Sequence, residues 1–275
     1  MEKPVVDLWL CSLSDLRDDS DSRSYLKQTL TADEIVKVER YRIPSSQVQA
    51  LYVRNYLRGV LSCYSDLAPE AWRFDYGEKG KPRLIEKQQI ETGLNFNISH
   101  SKEYLLIAVC QIEGKQVQLG VDIEHARSST NIDSIMKHYF SDTELTDLLE
   151  LSKEEQRERF FDLWALKESY IKATGKGLAT SLRSFSFDFS NLTEQTLPIH
   201  ASDFQPNLQD EIRLHGEISI YSGVGLDVTE QTDSSTDWQC CLGRLDDQYR
   251  FAVTLGGNLL PMKIEMRTFS SSHLF

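Results

Sequence analysis

Apolar positions along the chain change their period from one segment to the next, and those changes set out the predicted elements. Val5 to Cys11 reads as a first strand. Thr31-Ala32-Asp33-Glu34 has the form of a capping box and opens a helix through about Tyr41, which the Ile43-Pro44 step ends. Leu51, Tyr52, Leu57, Val60 and Leu61 then recur at helical spacing, so a longer helix is predicted from Gln47 to Cys63. After a polar turn around Tyr76 to Pro82, Asn95 to Ser99 reads as a short strand. Tyr104 to Cys110 and Gln116 to Ile123 are apolar runs separated by Glu113-Gly114-Lys115, a pattern that predicts a hairpin.

The second half repeats the theme. Asn131 to Phe140 and Ser141 to Leu151 read as helices, the latter opened by a second capping box, Ser141-Asp142-Thr143-Glu144. A longer helix is predicted from about Glu154 to Ala173, with Gly175 as its C-terminal cap. Strands follow at Ser184 to Phe189, Arg213 to Tyr221, Trp238 to Leu245 and Tyr249 to Leu255, while Asn191 to Gln209 and Asp227 to Asp237 read as loops. The result is an α+β, or mixed α/β, protein whose two halves have similar make-up.

Composition narrows the classes. The chain has 275 residues, 40% of them hydrophobic, which is enough for a real core in one large domain or two lobes. No run is long enough to span a bilayer, and the opening Met1-Glu2-Lys3-Pro4 leads into a stretch too short for a signal peptide, so a soluble protein is expected. Cys11, Cys63, Cys110, Cys240 and Cys241 form an odd set without a C-x-x-C pair, which fits a reducing cytoplasm better than disulfides or zinc. A net charge of −12 argues against non-specific nucleic-acid binding. An anionic ligand would have to be held by local cations, and three groups offer themselves: Lys37, Arg40 and Arg42; Lys79, Lys81 and Arg83; Lys167, Lys172 and Lys176.

Four constellations carry candidate chemistry. Asp122 and Glu124 stand one residue apart on a predicted strand, so both carboxylates project from one face while Val121 and Ile123 face the core. Carboxylates this close repel unless a cation lies between them, which suits magnesium; the alternative is a polar strand end facing water. On the long helix Trp164, Glu168 and Lys172 are spaced four apart and share a face, an arrangement that also makes an ordinary surface ion pair. Phe96-Asn97-Ile98-Ser99-His100-Ser101 offers an amide, hydroxyls and an imidazole to a phosphate, or else forms a self-bonded turn. Glu78-Lys79-Gly80-Lys81-Pro82 is a turn whose lysines and backbone can meet an anion, Gly80 permitting close approach.

In this order, Gly80-Lys81-Pro82, Phe96 to Ser101, Gly120 to Glu124 and Trp164 to Lys172 resemble the motifs of the Sfp-type 4'-phosphopantetheinyl transferases, and the resemblance extends over most of the chain. It implies a monomer of two pseudo-symmetric lobes, 1–115 and 116–275, with coenzyme A in the cleft between them and the magnesium site in the second. Asp122, Glu124 and Glu168 would ligate Mg2+, and Gly80, Lys81, Ser99, His100 and Lys172 would meet coenzyme A. Arg54, in Arg54-x-x-Leu57-Arg58-x-x-Leu61, resembles a family residue for the 3'-phosphate, with Lys37, Arg40 or Arg42 supplying further cations.

The activity implied is Mg-dependent transfer of 4'-phosphopantetheine to a serine of an acyl or peptidyl carrier protein, in fatty acid, polyketide or nonribosomal peptide synthesis. Adenosine 3',5'-bisphosphate would leave, with Glu168 as base and Lys172 and His100 stabilising charge. The alternatives are a non-catalytic coenzyme A or carrier binder and a Mg-dependent phosphohydrolase. Neither nucleic acid nor membrane is an expected partner. Carrier docking is expected to use apolar contacts between His125 and Phe140, Met136 and Tyr139 among them.

Overall fold

The computed structural model describes residues 3–14, 16–114, 117–177, 180–200, 211–222, 237–257 and 260–275. Within them lie twelve strands: β1 (Val5–Ser12), β2 (Phe74–Tyr76), β3 (Pro82–Leu84), β4 (Leu94–Ser101), β5 (Tyr104–Gln111), β6 (Gln118–His125), β7 (Phe185–Asp188), β8 (Thr193–His200), β9 (Glu211–Ser222), β10 (Trp238–Arg244), β11 (Tyr249–Gly256) and β12 (Lys263–Phe269). Seven α-helices accompany them: α1 (Ser20–Gln28), α2 (Ala32–Glu39), α3 (Pro44–Ser62), α4 (Glu86–Thr92), α5 (Ile132–Tyr139), α6 (Asp142–Glu150) and α7 (Lys153–Thr174). The mixed α/β class read from the sequence is the class observed. No helix among the described residues is long and apolar enough to cross a membrane.

One sheet runs β4-β5-β1-β12-β8-β9-β10-β11-β6, with β7 paired to β9 and only the β1/β12 and β12/β8 contacts parallel. Its two halves share a core in which Val6, Leu8 and Leu10 of β1 meet Val121 and Ile123 of β6 and Phe251 and Val253 of β11. On the outer face of the first half, α3 buries Leu51, Tyr56, Leu57 and Leu61 against Leu105, Ile107 and Val109. On the outer face of the second, α5 to α7 bury Met136, Phe160, Leu163 and Leu166 against Ile218, Leu242 and Ala252. The sheet thus curves until its terminal strands, β4 and β6, come together.

Both capping boxes form as read, on Thr31/Glu34 and Ser141/Glu144, and a third on Ser152/Glu155 opens α7. Each of the first two glutamates also receives a buried cation from the long helix that follows. Glu34 is paired with Arg58 of α3, and Glu144 lies 2.8 Å from Lys167 of α7. Helix α7 ends at Gly175, whose left-handed φ of 69° and N–H bond to the Ile171 carbonyl close its last turn.

Several sequence expectations need correction. The runs 104–110 and 116–123 do not form a hairpin, since β5 pairs with β4 and β1 while β6 pairs with β11. The hairpin is β4/β5, closed by Lys102-Glu103 between the paired Ser101 and Tyr104, with Lys102 at a positive φ of 48°. No glycine or asparagine marks that turn, whereas Gly114 suggested one elsewhere. Lys115 and Gln116 lie outside the described residues. The loop expected over Asn191 to Gln209 contains β8, which pairs with β9, and its residues 201–209 lie outside the description. So does most of the expected loop Asp227 to Asp237, all but Asp237.

Candidate active site

The two edges of the sheet meet without a backbone ladder. Asn95, Asn97 and Ser101 project from β4 at period two, and their side-chain oxygens accept from the backbone N–H groups of Val117 (3.3 Å), Val121 (2.9 Å) and His125 (3.2 Å). The open edge of β6 is therefore satisfied by side chains of the other half. The polar residues of the 96–101 motif neither form a turn nor bond their own backbone as the sequence alternative supposed. The signal available was a run of small polar residues at strand spacing, Asn95, Asn97, Ser99 and Ser101.

Ser99 continues this series, but its hydroxyl donates to Asp122 Oδ1 at 2.8 Å. Lys172 reaches the same point from α7, donating to Ser99 Oγ at 2.7 Å and to Asp122 Oδ1 at 2.6 Å. Helix α7 comes this close because Gly120 lacks a side chain: a Cβ there would lie 1.9 Å from the Ser169 carbonyl oxygen. Three segments distant in sequence thus converge on one buried carboxylate, with Asp122 only 3% exposed.

Charge around that carboxylate is unbalanced. Burial and the neighbouring Asp122 charge push Glu124 up to about 7, against which Lys172 and a hydrogen bond from Trp164 act in part. Glu168 is raised for the same reasons, burial first and Asp122 second. Asp122 Oδ2 is buried with no hydrogen-bond partner. Three acids and an orphaned oxygen around one cation make a donor set suited to a hard divalent ion. As the side chains stand, no group of three His, Cys, Asp or Glu among the described residues is arranged to hold a metal, and Lys172 takes up Asp122 Oδ1.

Glu168 and Lys172 also line a cavity of about 280 Å³, completed by Asn97 and Ile98 of β4 and by Lys79 to Pro82. Gly80 sits at its wall with φ of 80°, a conformation suited to glycine, and nothing within 4 Å of where a side chain would begin. Lys81 does not point at open space: its ammonium donates to the Leu119 carbonyl at 2.9 Å and the Ala173 carbonyl at 3.1 Å, and burial pushes it down to about 8. His100 is exposed at the end of β4, where the surrounding protein and then the Lys172 charge hold its imidazole below the usual value.

The remaining cations divide. Lys37 stands 3.5 Å from the centre of the Tyr76 ring and lines a separate cavity of about 380 Å³ with Arg73 and Glu34. The charges of Arg54 and Arg58 act on the same Tyr76 phenol, whose pKa burial raises. Arg54 donates to Ala50 of its own helix at 2.9 Å and keeps a buried, unpartnered Nε. Arg40 and Arg42 are exposed. The run Lys167, Lys172 and Lys176 does not converge either, since the first is buried, the second faces Asp122 and the third is exposed. Met136 is fully buried and cannot belong to a docking surface, whereas Tyr139 is 42% exposed and packs edge-on against Trp164.

Residues 118–220 match the 4'-phosphopantetheinyl transferase superfamily, and residues 19–112 match the 4'-phosphopantetheinyl transferase N-terminal family. A putative 4'-phosphopantetheinyl transferase of Synechocystis sp. is 30% identical over 195 residues, 71% of this chain and 75% of that protein. The chain belongs to the 4'-phosphopantetheinyl transferase superfamily. The transferase HetI of Nostoc sp. is 34% identical over 154 residues, 56% of this chain and 63% of HetI. Sfp of Bacillus subtilis is 38% identical over 130 residues, 47% of this chain and 53% of Sfp. The match to HetI and to Sfp thus spans less than two thirds of either relative's length. Both family matches stop short of β12, yet that strand pairs with β1 in the first half.

Proposed function

We propose that this protein transfers the 4'-phosphopantetheine group of coenzyme A to a serine hydroxyl of an acyl or peptidyl carrier protein, releasing adenosine 3',5'-bisphosphate. The observation that carries the reading is the junction of Glu168, Lys172, Asp122 and Ser99 where β4, β6 and α7 meet. It joins a phosphate-seeking ammonium to an excess of carboxylates beside a cavity, within a chain of transferase ancestry.

Asp122, Glu124 and Glu168 would hold Mg2+, and the raised Glu124 and Glu168 with the orphaned Asp122 Oδ2 support that assignment. When bound, the ion would neutralise and polarise the pyrophosphate oxygens. Lys172 would exchange Asp122 for a phosphate oxygen and, with His100, stabilise charge on the departing bisphosphate. Glu168, kept basic by burial and then by the neighbouring Asp122 charge, accepts the proton of the carrier serine directly or through a bound water. Ser99 orients both Lys172 and Asp122. Gly80 and its turn border the nucleotide, and Lys37 and Arg54 beside Tyr76 form the cationic patch for the 3'-phosphate, to which the exposed Arg40 would add charge. The same reading takes 1–115 and 116–275 as two lobes, β12 of the second pairing with β1 of the first, acting as a cytoplasmic monomer. Tyr139 supplies an apolar contact for the carrier.

Incubation of the protein with coenzyme A, MgCl2 and an unmodified carrier, followed by intact-mass measurement, tests the reading. The carrier should gain one phosphopantetheine. Free phosphopantetheine without carrier modification would indicate hydrolysis, and binding without either product would indicate a non-catalytic binder.

A further inference from the structure

We infer that Lys81 is a positioning residue for the transfer reaction: it ties the last turn of α7 to the open edge of β6 and so holds Lys172 and Glu168 toward the cleft. The inference rests on the function proposed above and differs from the phosphate contact that the Gly-Lys-Pro motif suggests.

The argument begins with unsatisfied backbone. Strand β6 is an edge strand, and the N–H of Val117 just before it and its own outward N–H groups at Val121 and His125 are met by β4 side chains. The outward carbonyl of Leu119 receives its donor from Lys81 at 2.9 Å. Ala173 lies in the final turn of α7, where carbonyls lack intrahelical donors, and its carbonyl receives the same ammonium at 3.1 Å. A cation here also complements the negative end of the helix dipole.

Position then couples this contact to the chemistry. Ala173 directly follows Lys172, whose ammonium is held on Ser99 and Asp122, and Leu119 stands three residues before Asp122 on the same strand. Gly120, between them, lies against the α7 backbone at Ser169 and Ala173. Lys81 also forms a wall common to the 280 Å³ cavity containing Glu168 and a second cavity of about 490 Å³ bounded by Leu119, Ala173 and Arg83. Two of its three protons are engaged with carbonyls. Burial of the ammonium, which brings its pKa to about 8, agrees with a charge held against backbone.

The test compares Lys81→Met with the parent protein in three measurements: coenzyme A affinity by calorimetry in MgCl2, kcat at saturating coenzyme A and carrier, and amide hydrogen exchange. A positioning role requires kcat to fall about tenfold or more while the Kd for coenzyme A stays within about threefold. Exchange in peptides covering 169–177 should quicken about fivefold or more, with β1 unchanged. A Kd weakened about tenfold with kcat retained would make Lys81 a phosphate contact and overturn the inference. Unchanged exchange over 169–177 would also overturn it, and that readout stands whether or not the parent transfers phosphopantetheine. Should Lys81→Met fail to fold, Lys81→Gln, whose side chain is one atom shorter and cannot bridge both carbonyls, carries the same measurements.

Discussion

The helix pairs α2–α3 and α6–α7 are built to one plan and put to different use. In each, a capping-box glutamate accepts from the backbone N–H and hydroxyl of its own N-cap residue, at 2.9 and 3.0 Å for Thr31 and at 3.0 and 3.1 Å for Ser141. In each, the following long helix sends a fully buried cation to that glutamate. The cation also donates to two carbonyls further along, Pro69 and Trp72 for Arg58, Leu182 and Phe185 for Lys167. Each lies over the aromatic residue that opens the next strand, 5.0 Å from Phe74 and 4.3 Å from Phe185. The next residue separates the two. After Arg58 comes Gly59, where a Cβ would meet the Phe269 ring at 2.8 Å; after Lys167 comes Glu168, facing the cavity. The buried ion pair is scaffold common to both halves, and the proposed chemistry rests on one position beside it.

Substitution of Glu168 by Gln should have the largest effect on function, lowering kcat about 10³-fold, roughly 4 kcal/mol, with the melting temperature shifted by only a few degrees. Near-normal turnover would remove the distinction between the halves. Next in size, Lys167→Met and Arg58→Met each strand a buried glutamate and should each cost about 3 kcal/mol in urea unfolding, with Lys167→Met/Glu144→Gln recovering much of the loss. A large cost in one half alone would show that the plans are not equivalent.

Glu124 gives a smaller effect confined to the second half. Its folded value of about 7 exceeds the ordinary 4.5. The folded state therefore keeps a proton through that window that the unfolded chain has released, and the associated stability, complete below pH 4.5, is lost as pH rises past 7. In metal-free protein, Glu124→Gln should be more stable than the parent by about 2 kcal/mol at pH 8 and no different at pH 4. Equal stability at both pH values would mean that the carboxyl is not held in the crowded state. The smallest effects come from the caps: Thr31→Ala and Ser141→Ala should each cost about 1 kcal/mol in the same unfolding measurement.

The caps and strand alternation of this molecule are legible in its sequence, whereas the β4/β5 turn and the distant pairings are not. Thr31/Glu34, Ser141/Glu144 and Gly175 act within a few residues of themselves, so their patterns predicted their structure. The alternation that puts Asp122 and Glu124 on one face of β6 is likewise local. By contrast, β12 takes both its neighbours, β1 and β8, from far along the chain, and nothing in Lys263–Phe269 names those partners. The site divides in the same way. The polar motifs of Asn97 and Lys81 suggest ligand-facing side chains, while the groups they meet are backbone atoms of Val121, Leu119 and Ala173. The polar run at strand spacing marks the side chains on β4, but which backbone atoms they meet leaves no mark in the sequence.

Strand β12 carries a consequence for how the chain is made. It lies between β1 and β8, pairing Val5 with Lys263 and Cys11 with Phe269. Synthesis proceeds from the other end, so β1, α3 and the β4/β5 hairpin emerge long before the strand that completes their sheet. Until about residue 269 has left the ribosome, β1 has an open side, and closing that gap requires a loop of nearly the whole chain. The first half therefore waits, with an unpaired strand edge exposed, until β12 has emerged.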